Sequence, residues 1–138
     1  MPGAPGRTKM ASTRLRGPFS LSLEGIKNAV SATLPGAYAL GHTDERGSFV
    51  VEYVGRGDDD VRKSLQRHVV ENYRQFEFAY YDRAKDAFEK ECNLYHDFPN
   101  TNNRAHPAGP PGSCWMCPRC TVFDPFSLCA CPSVVALR

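Results

Sequence analysis

Apolar positions along the chain recur with two different spacings, and the change from one to the other marks the predicted elements. Residues 21–34 carry apolar side chains three and four positions apart, which predicts a helix that ends at Pro35. Residues 37–41 and 48–54 are strand-like runs on either side of the polar segment 42–47. This arrangement predicts a β-hairpin.

The second half of the pattern predicts a helix, a strand and another helix. An aspartate run favours a helix that begins near Asp59 or Asp60, because carboxylates accept the first unpaired backbone N–H groups. The apolar stripe of this helix consists of Val61, Leu65 and Val69. Aromatic residues at 76–81 predict a third strand. A third helix follows over residues 84–95, and residues 97–112 are a Pro-, Asn- and Gly-rich loop.

This order of elements predicts an α/β (α+β) domain with a small, mostly antiparallel sheet flanked by helices. The length of 138 residues suits one domain. Residues 1–18 are rich in Pro, Gly and Arg and have no period, so we expect a disordered basic arm. The folded domain is expected over residues 19–107, and residues 108–138 form a tail rich in Pro and Cys.

Charge and hydropathy exclude some locations and partners. The net charge is only +2, so the chain as a whole is not a polycation, although the arm could reach phosphates. No apolar run approaches the length of a membrane span, and the N-terminus lacks the apolar centre of a secretory signal. We therefore expect no membrane partner and a cytoplasmic, intracellular location.

Cysteines are concentrated near the C-terminus. The six cysteines are Cys92, Cys114, Cys117, Cys120, Cys129 and Cys131. Free thiols or a metal site are expected in preference to disulfides. The Cys-Pro-Arg-Cys segment at 117–120 suits tetrahedral Zn²⁺, with Cys129 and Cys131, or Cys114, as the further ligands. Free thiols are the alternative.

A carboxylate interrupts the apolar face of the last predicted helix. Glu91 shares this face with Ala84, Phe88 and Tyr95. An unpaired buried carboxylate would cost several kcal/mol or lose its charge. Either a divalent cation compensates it, since Mg²⁺ prefers one or two carboxylates plus waters and phosphate oxygens, or a buried hydrogen bond or salt bridge does.

Two tyrosines stand on the two strands of the predicted hairpin, each close to a glycine. Residues 36–38 read Gly-Ala-Tyr and residues 53–55 read Tyr-Val-Gly. Glycine lets a backbone approach a ligand closely, and packing on a pleated surface is the alternative for both tyrosines. The two triplets, with the helix after them and Glu91 on the next helix, resemble the signature of the GIY-YIG nuclease superfamily, especially its small stand-alone bacterial members. Asn103 falls where these proteins carry a supporting Asn, and the resemblance covers about residues 34–107.

The resemblance implies a three-stranded antiparallel sheet and a role for each matching residue. Tyr38 would take the proton from the attacking water, directly or through the metal, and Tyr53 would position the water or the phosphate. Arg56 would assist the nucleophile or bind phosphate. Glu91 would hold Mg²⁺ or Mn²⁺, which polarises the phosphate and stabilises the leaving oxygen. Asn103 would maintain the geometry of the site.

The sequence departs from the family pattern at one position. Ser64 stands where the helix after the second triplet should carry a transition-state arginine. A positioned donor of this kind is typically worth about 10²–10³ in rate. Arg67, about one turn further on, could supply the missing charge. His68 lies on the same face as Ser64 and either contacts the phosphate or water, or packs at the helix end. Gly55 and Ser64 are the predicted substrate-binding positions.

The function expected from the resemblance is a metal-dependent DNA endonuclease that hydrolyses phosphodiesters. Two alternatives remain: a catalytically weakened DNA-binding module of the same shape, and a zinc-stapled protein-interaction module. No separate sequence-reading segment is visible, so specificity would be low or supplied by a protein partner.

Overall fold

A computed structural model of the chain describes residues 12–122. These residues form four strands and three helices in the order β1, α1, β2, β3, α2, β4, α3. The strands are β1 (Arg16–Ser20), β2 (Gly36–Thr43), β3 (Phe49–Gly57) and β4 (Gln75–Tyr80). The helices are α1 (Leu23–Ala29), α2 (Val61–Gln66) and α3 (Ala84–Asp97). The predicted α+β class is confirmed.

The strands form one sheet in the order β1-β4-β2-β3, with every neighbouring pair antiparallel. The prediction of three strands is wrong, because β1 adds a fourth beside β4. This strand begins at Arg16, inside the expected arm of residues 1–18, whose first eleven residues lie outside the described part of the chain. Arg16 places its guanidinium over the rings of Phe78 and Tyr80, at 5.8 and 5.3 Å from their centroids.

The two faces of the sheet carry separate cores. On one face, Tyr38 and Leu40 of β2 pack with apolar residues of α1, α2 and β4. On the other face, Ala39 packs with Val54 of β3 and Leu94 of α3. Successive residues of a strand point to opposite faces, so β2 supplies both cores.

Local sequence explains the ends of the elements around the hairpin. Asp60 accepts a hydrogen bond from the backbone N–H of Arg62 and caps α2 at its first turn. This confirms the helix start that the aspartate run predicts. A register irregularity between β2 and β3 at Leu40 lets Val51 and Val54, three residues apart, join the same core.

Candidate active site

A cavity of about 450 Å³ opens beside β3, which is one of the two edge strands of the sheet. It gathers eight of the nine residues that the sequence proposes for nuclease chemistry: Tyr38, Tyr53, Gly55, Arg56, Ser64, Arg67, His68 and Glu91. The ninth, Asn103, contacts β3 from outside this cavity. Asp58 and Glu71 also line the cavity, and the sequence analysis missed both.

The hairpin explains why residues from distant positions meet here. Tyr38 of β2 pairs with Gly55 of β3. A Cβ atom at position 55 would lie 2.7 Å from the Tyr38 hydroxyl. The phenol therefore occupies space that only a glycine leaves open. Tyr53 and Arg56 precede and follow this gap on β3, and Glu91 reaches the cavity from α3.

Tyr38, His68 and Glu71 form a hydrogen-bonded chain. The Tyr38 hydroxyl lies 2.9 Å from Nε2 of His68, whose Nδ1 lies 2.9 Å from Oε1 of Glu71. An ionised carboxylate only accepts hydrogen bonds, so we assign the proton of His68 to Nδ1. Nε2 then accepts from the Tyr38 hydroxyl. Burial raises the pKa of Tyr38 well above its usual value, with smaller contributions from Tyr53 and Glu91, so the phenol stays protonated.

Tyr53 packs beside the same imidazole. Its ring centroid lies 5.0 Å from that of His68 and 6.0 Å from that of Tyr73. Burial raises the pKa of Tyr53, and the charge of Glu91 raises it further. Tyr53 is thus a neutral hydrogen-bond donor at the mouth of the cavity.

Glu91 is buried and paired with a cation of the chain. Nη1 of Arg56 donates to Oε1 of Glu91 at 2.8 Å, and Nε of Arg56 donates to Oδ1 of Asp58 at 2.6 Å. Glu91 is only 8% exposed, which confirms the inward position that the helix pattern predicts. Of the two compensating partners left open by the sequence, this structure contains the salt bridge.

Burial nevertheless dominates the electrostatics of this carboxylate. Burial raises the pKa of Glu91 to about 7, and the Arg56 guanidinium offsets only part of that effect. For Arg56, burial acts to lower the pKa, but the hydrogen bonds to Asp58 and Glu91 outweigh it and raise the pKa. The guanidinium also lies 5.1 Å from the ring centroid of Phe88 and 5.8 Å from that of Trp115.

Arg67 approaches the position where the family pattern expects an arginine. Ser64 is buried in the wall of the cavity, and Nη2 of Arg67 lies 3.4 Å from its Oγ. The charge of Arg67 lowers the pKa of Tyr38, although burial and the neighbouring groups outweigh it. Arg67 therefore places a positive charge in the same cavity as the Tyr38 phenol.

Asn103 holds the backbone of β3 between the two catalytic candidates of that strand. Its Oδ1 accepts from the N–H of Val54 at 2.9 Å, and its Nδ2 donates to the carbonyl of Val54 at 2.9 Å. The backbone N–H of Asn102 donates to the carbonyl of Glu52 at 2.7 Å. The loop thus covers part of the open edge of β3 and fixes the peptide between Tyr53 and Gly55.

Two other cavities differ from this one in chemistry. A cavity of about 600 Å³ shares Tyr53, Glu71 and Glu91 with the candidate site and extends it toward Arg104. A cavity of about 660 Å³ lies around His42, with Glu52 3.4 Å from that imidazole. Neither of these cavities contains Tyr38 together with Glu91, so size alone does not identify the candidate site.

Two histidines and two cysteines converge at the last turn of α3. The side-chain donor atoms of His96, His106, Cys117 and Cys120 all lie within 4.8 Å of one another, and the group could hold a metal ion. Cys117 and Cys120 are among the ligands predicted from the sequence, whereas neither histidine was predicted. The other predicted ligands, Cys129 and Cys131, lie outside the described residues.

The redox state of the cysteines partly contradicts the sequence-based expectation. Cys92, Cys117 and Cys120 are free thiols, as expected. Cys114 is disulfide-bonded and therefore is not a metal ligand in this structure. The expected preference for free thiols or a metal site over a disulfide is wrong for this residue.

Comparison with models of protein families, with curated proteins and with solved structures finds no match for the chain. The resemblance to the GIY-YIG superfamily therefore stays a prediction. Across residues 12–122, the helices are too short or too polar to cross a lipid bilayer.

Proposed function

We propose that the chain is a metal-dependent endonuclease that hydrolyses DNA phosphodiesters in the cavity beside β3. One observation carries the proposal: the Tyr38 hydroxyl, hydrogen-bonded to His68, shares a cavity with the buried carboxylate of Glu91. A general base and a hard-cation ligand in one cleft are the two groups that metal-assisted hydrolysis of a phosphodiester requires.

The donor set fits a single Mg²⁺ or Mn²⁺. Among residues 12–122, Oε1 of Glu91 has a hydrogen-bond partner and the second carboxylate oxygen has none. In the same part of the chain, every side-chain oxygen that is shielded from solvent has a hydrogen-bond partner. The second oxygen is therefore open to the cavity. Mg²⁺ is commonly bound by one or two carboxylates, with waters and phosphate oxygens as its other ligands. When bound at Glu91, the ion would polarise the phosphate and stabilise the leaving oxygen.

The Tyr38–His68–Glu71 chain provides a path for the proton of the attacking water. The phenol of Tyr38 accepts that proton while its own proton passes to Nε2 of His68. Glu71 holds the imidazole in the accepting tautomer and stabilises the cation that forms, as the carboxylate of a catalytic triad does. Because the pKa of Tyr38 is raised, this exchange explains how a neutral phenol acts as the base.

Cationic groups of the chain supply charge where the transition state needs it. Arg67 lies in the cavity beside Ser64, so its guanidinium can replace the arginine that the family pattern places at position 64. Arg56, held by Asp58, stays charged beside the phosphate site. Preorganised charges of this kind act without reorganisation at the moment of reaction.

The nucleic-acid strand would follow the joined cavities past Tyr53 toward Arg104. Arg67 and Arg104 then contact phosphates on the two sides of the scissile bond. Such contacts carry no sequence information, so specificity is low or comes from a protein partner.

A DNA-binding module with weakened chemistry is the second candidate function, and Ser64 favours it. Without a charged group at that position, cleavage falls by about 10²–10³ unless Arg67 substitutes. The histidine–cysteine cluster favours a third candidate, the zinc-stapled interaction module.

Nicking of supercoiled plasmid DNA with Mg²⁺ or Mn²⁺ separates these functions. We expect nicking by the wild type and its loss in Tyr38→Phe and in Glu91→Ala. Tyr81→Phe is the matched control, since Tyr81 is partly buried outside the cavity, and it should cleave like the wild type. Equal nicking by all four proteins would indicate contamination.

Binding to a duplex oligonucleotide completes the design. If the wild type binds the duplex but does not nick DNA, the DNA-binding module is favoured over the nuclease. No affinity at low salt, where phosphate contacts are strongest, would favour the interaction module.

A further inference from the structure

We propose that His96, His106, Cys117 and Cys120 form a structural zinc site that fastens the loop after α3 to that helix. The site is separate from the proposed nuclease chemistry, because none of the four residues lines the cavity beside β3. His96 lies in the last turn of α3, and the other three ligands come from the loop.

Three of the six distances between the donor atoms match a tetrahedral zinc, and all six are below 4.8 Å. Zn–N bonds of about 2.05 Å and Zn–S bonds of about 2.3 Å place two nitrogens about 3.3 Å apart and a nitrogen and a sulfur about 3.5 Å apart. Nε2 of His96 lies 3.3 Å from Nε2 of His106 and 3.4 Å from Sγ of Cys117. Nε2 of His106 lies 3.5 Å from Sγ of Cys120.

The chemistry of the ligands also selects zinc. Nδ1 of His106 donates to the carbonyl of Pro107 at 2.7 Å, which leaves a lone pair on Nε2. Both cysteines are free thiols, separated by two residues as in zinc knuckles. Two thiolates and two imidazoles in a tetrahedron suit Zn²⁺, whereas Mg²⁺ prefers oxygen ligands.

Four protein ligands leave no open position, so this zinc holds structure and does not activate water. The loop it fastens contains two groups that support the nuclease cavity. Asn103, three residues before His106, binds the backbone of Val54. Trp115, two residues before Cys117, lies against Phe88, with ring centroids 5.6 Å apart.

Metal analysis of the full chain tests the proposal. Protein purified without chelator should contain one zinc per chain, and Cys117→Ser and His106→Asn should lose it. Cys92→Ala is the matched control, because this buried thiol packs beside Cys117 but is not among the four ligands, and it should keep its zinc. A metal-free wild type, or zinc retained by Cys117→Ser together with His106→Asn, would overturn the site.

Cobalt substitution gives a readout that does not depend on whether the variants fold. The wild type with Co²⁺ in place of Zn²⁺ should show the intense visible bands of a tetrahedral site and thiolate charge-transfer absorption for two sulfurs. Weak octahedral bands, or no thiolate absorption, would contradict the proposed ligands. A Cys117–Cys120 disulfide in freshly purified protein would contradict them equally.

The fluorescence of Trp115, the only tryptophan of the chain, reports the structural role. Removal of zinc should shift the emission to longer wavelength, as the indole leaves Phe88, and re-addition of zinc should reverse the shift. An unchanged spectrum on verified zinc loss would show that the ion does not hold the loop.

Discussion

Replacing Asn103 by alanine removes a clamp on β3 and leaves every residue that lines the candidate cavity unchanged. Its side-chain amide makes two hydrogen bonds of 2.9 Å to the N–H and the carbonyl of Val54. Val54 itself is fully buried, and it separates Tyr53 from Gly55 on the edge strand. Asn103→Ala therefore loosens the peptide that sets the relative positions of these two residues.

The expected loss follows from the two hydrogen bonds. Each contributes about 0.5–1.5 kcal/mol net, so Asn103→Ala should lower the free energy of unfolding by about 2 kcal/mol. For a chain of this size the melting temperature should fall by about 6–10 °C. Displacement of Tyr53 by a fraction of an ångström should slow DNA cleavage by about 10- to 100-fold.

Urea denaturation and the cleavage rate of the same preparations measure both effects. Asn102→Ala is the matched control, since its side chain loses only a 3.4 Å contact to the Tyr73 hydroxyl, and its stability should change by less than about 0.5 kcal/mol. If Asn103→Ala is as stable as Asn102→Ala and cleaves DNA as fast as the wild type, the clamp does not position the site.

Three further predictions test the cavity itself. Arg67→Ala should slow cleavage about 100-fold, and adding Ser64→Arg to that variant should raise its cleavage rate at least about tenfold. An unchanged rate in Arg67→Ala would show that the charge of Arg67 is not used. Gly55→Ala places a Cβ 2.7 Å from the Tyr38 ring and should reduce the cleavage rate about 100-fold. Circular dichroism should show that the variant keeps its fold, and a wild-type cleavage rate would contradict the close packing. Burial raises the pKa of Glu91 from 4.5 to about 7. Between those pH values the folded chain therefore holds a proton that the unfolded chain releases. As the pH rises through this window, the free energy of unfolding of the metal-free protein should fall by up to about 3 kcal/mol. Glu91→Gln should abolish this loss in thermal unfolding at about pH 5 and about pH 8, and an equal pH dependence of both proteins would refute it.

Local signals in the sequence predict the hairpin, the start of α2 and the inward position of Glu91. Each depends on residues close together in the chain: the alternating strand residues, the Asp60 cap and the periodic face of α3. They do not determine what compensates the Glu91 charge, because Arg56 is thirty-five residues away and meets it only when β3 and α3 pack together.

The features that were missed depend on contacts between distant segments. β1 is exposed along most of its length and contains Gly17 and Pro18, so it shows no alternation. It forms because β4 offers it an unpaired edge. His96 and His106 are ten residues apart and meet across a loop. A histidine in the last turn of a helix, followed by a second histidine before a Cys-x-x-Cys segment, is the signal that could have indicated the metal cluster.

The proposed hydrolytic role of the Tyr38 and Glu91 cavity is tested most directly by single-turnover cleavage of an end-labelled DNA duplex over a range of Mg²⁺ concentrations. The wild type should cleave with saturable Mg²⁺ dependence. Tyr38→Phe should keep the same half-saturating Mg²⁺ concentration with a maximal rate at least about 100-fold lower, and Glu91→Gln should show no saturable dependence. Cleavage by the wild type without added metal and in the presence of chelator, or equal rates in the three proteins, would contradict hydrolysis at this cavity.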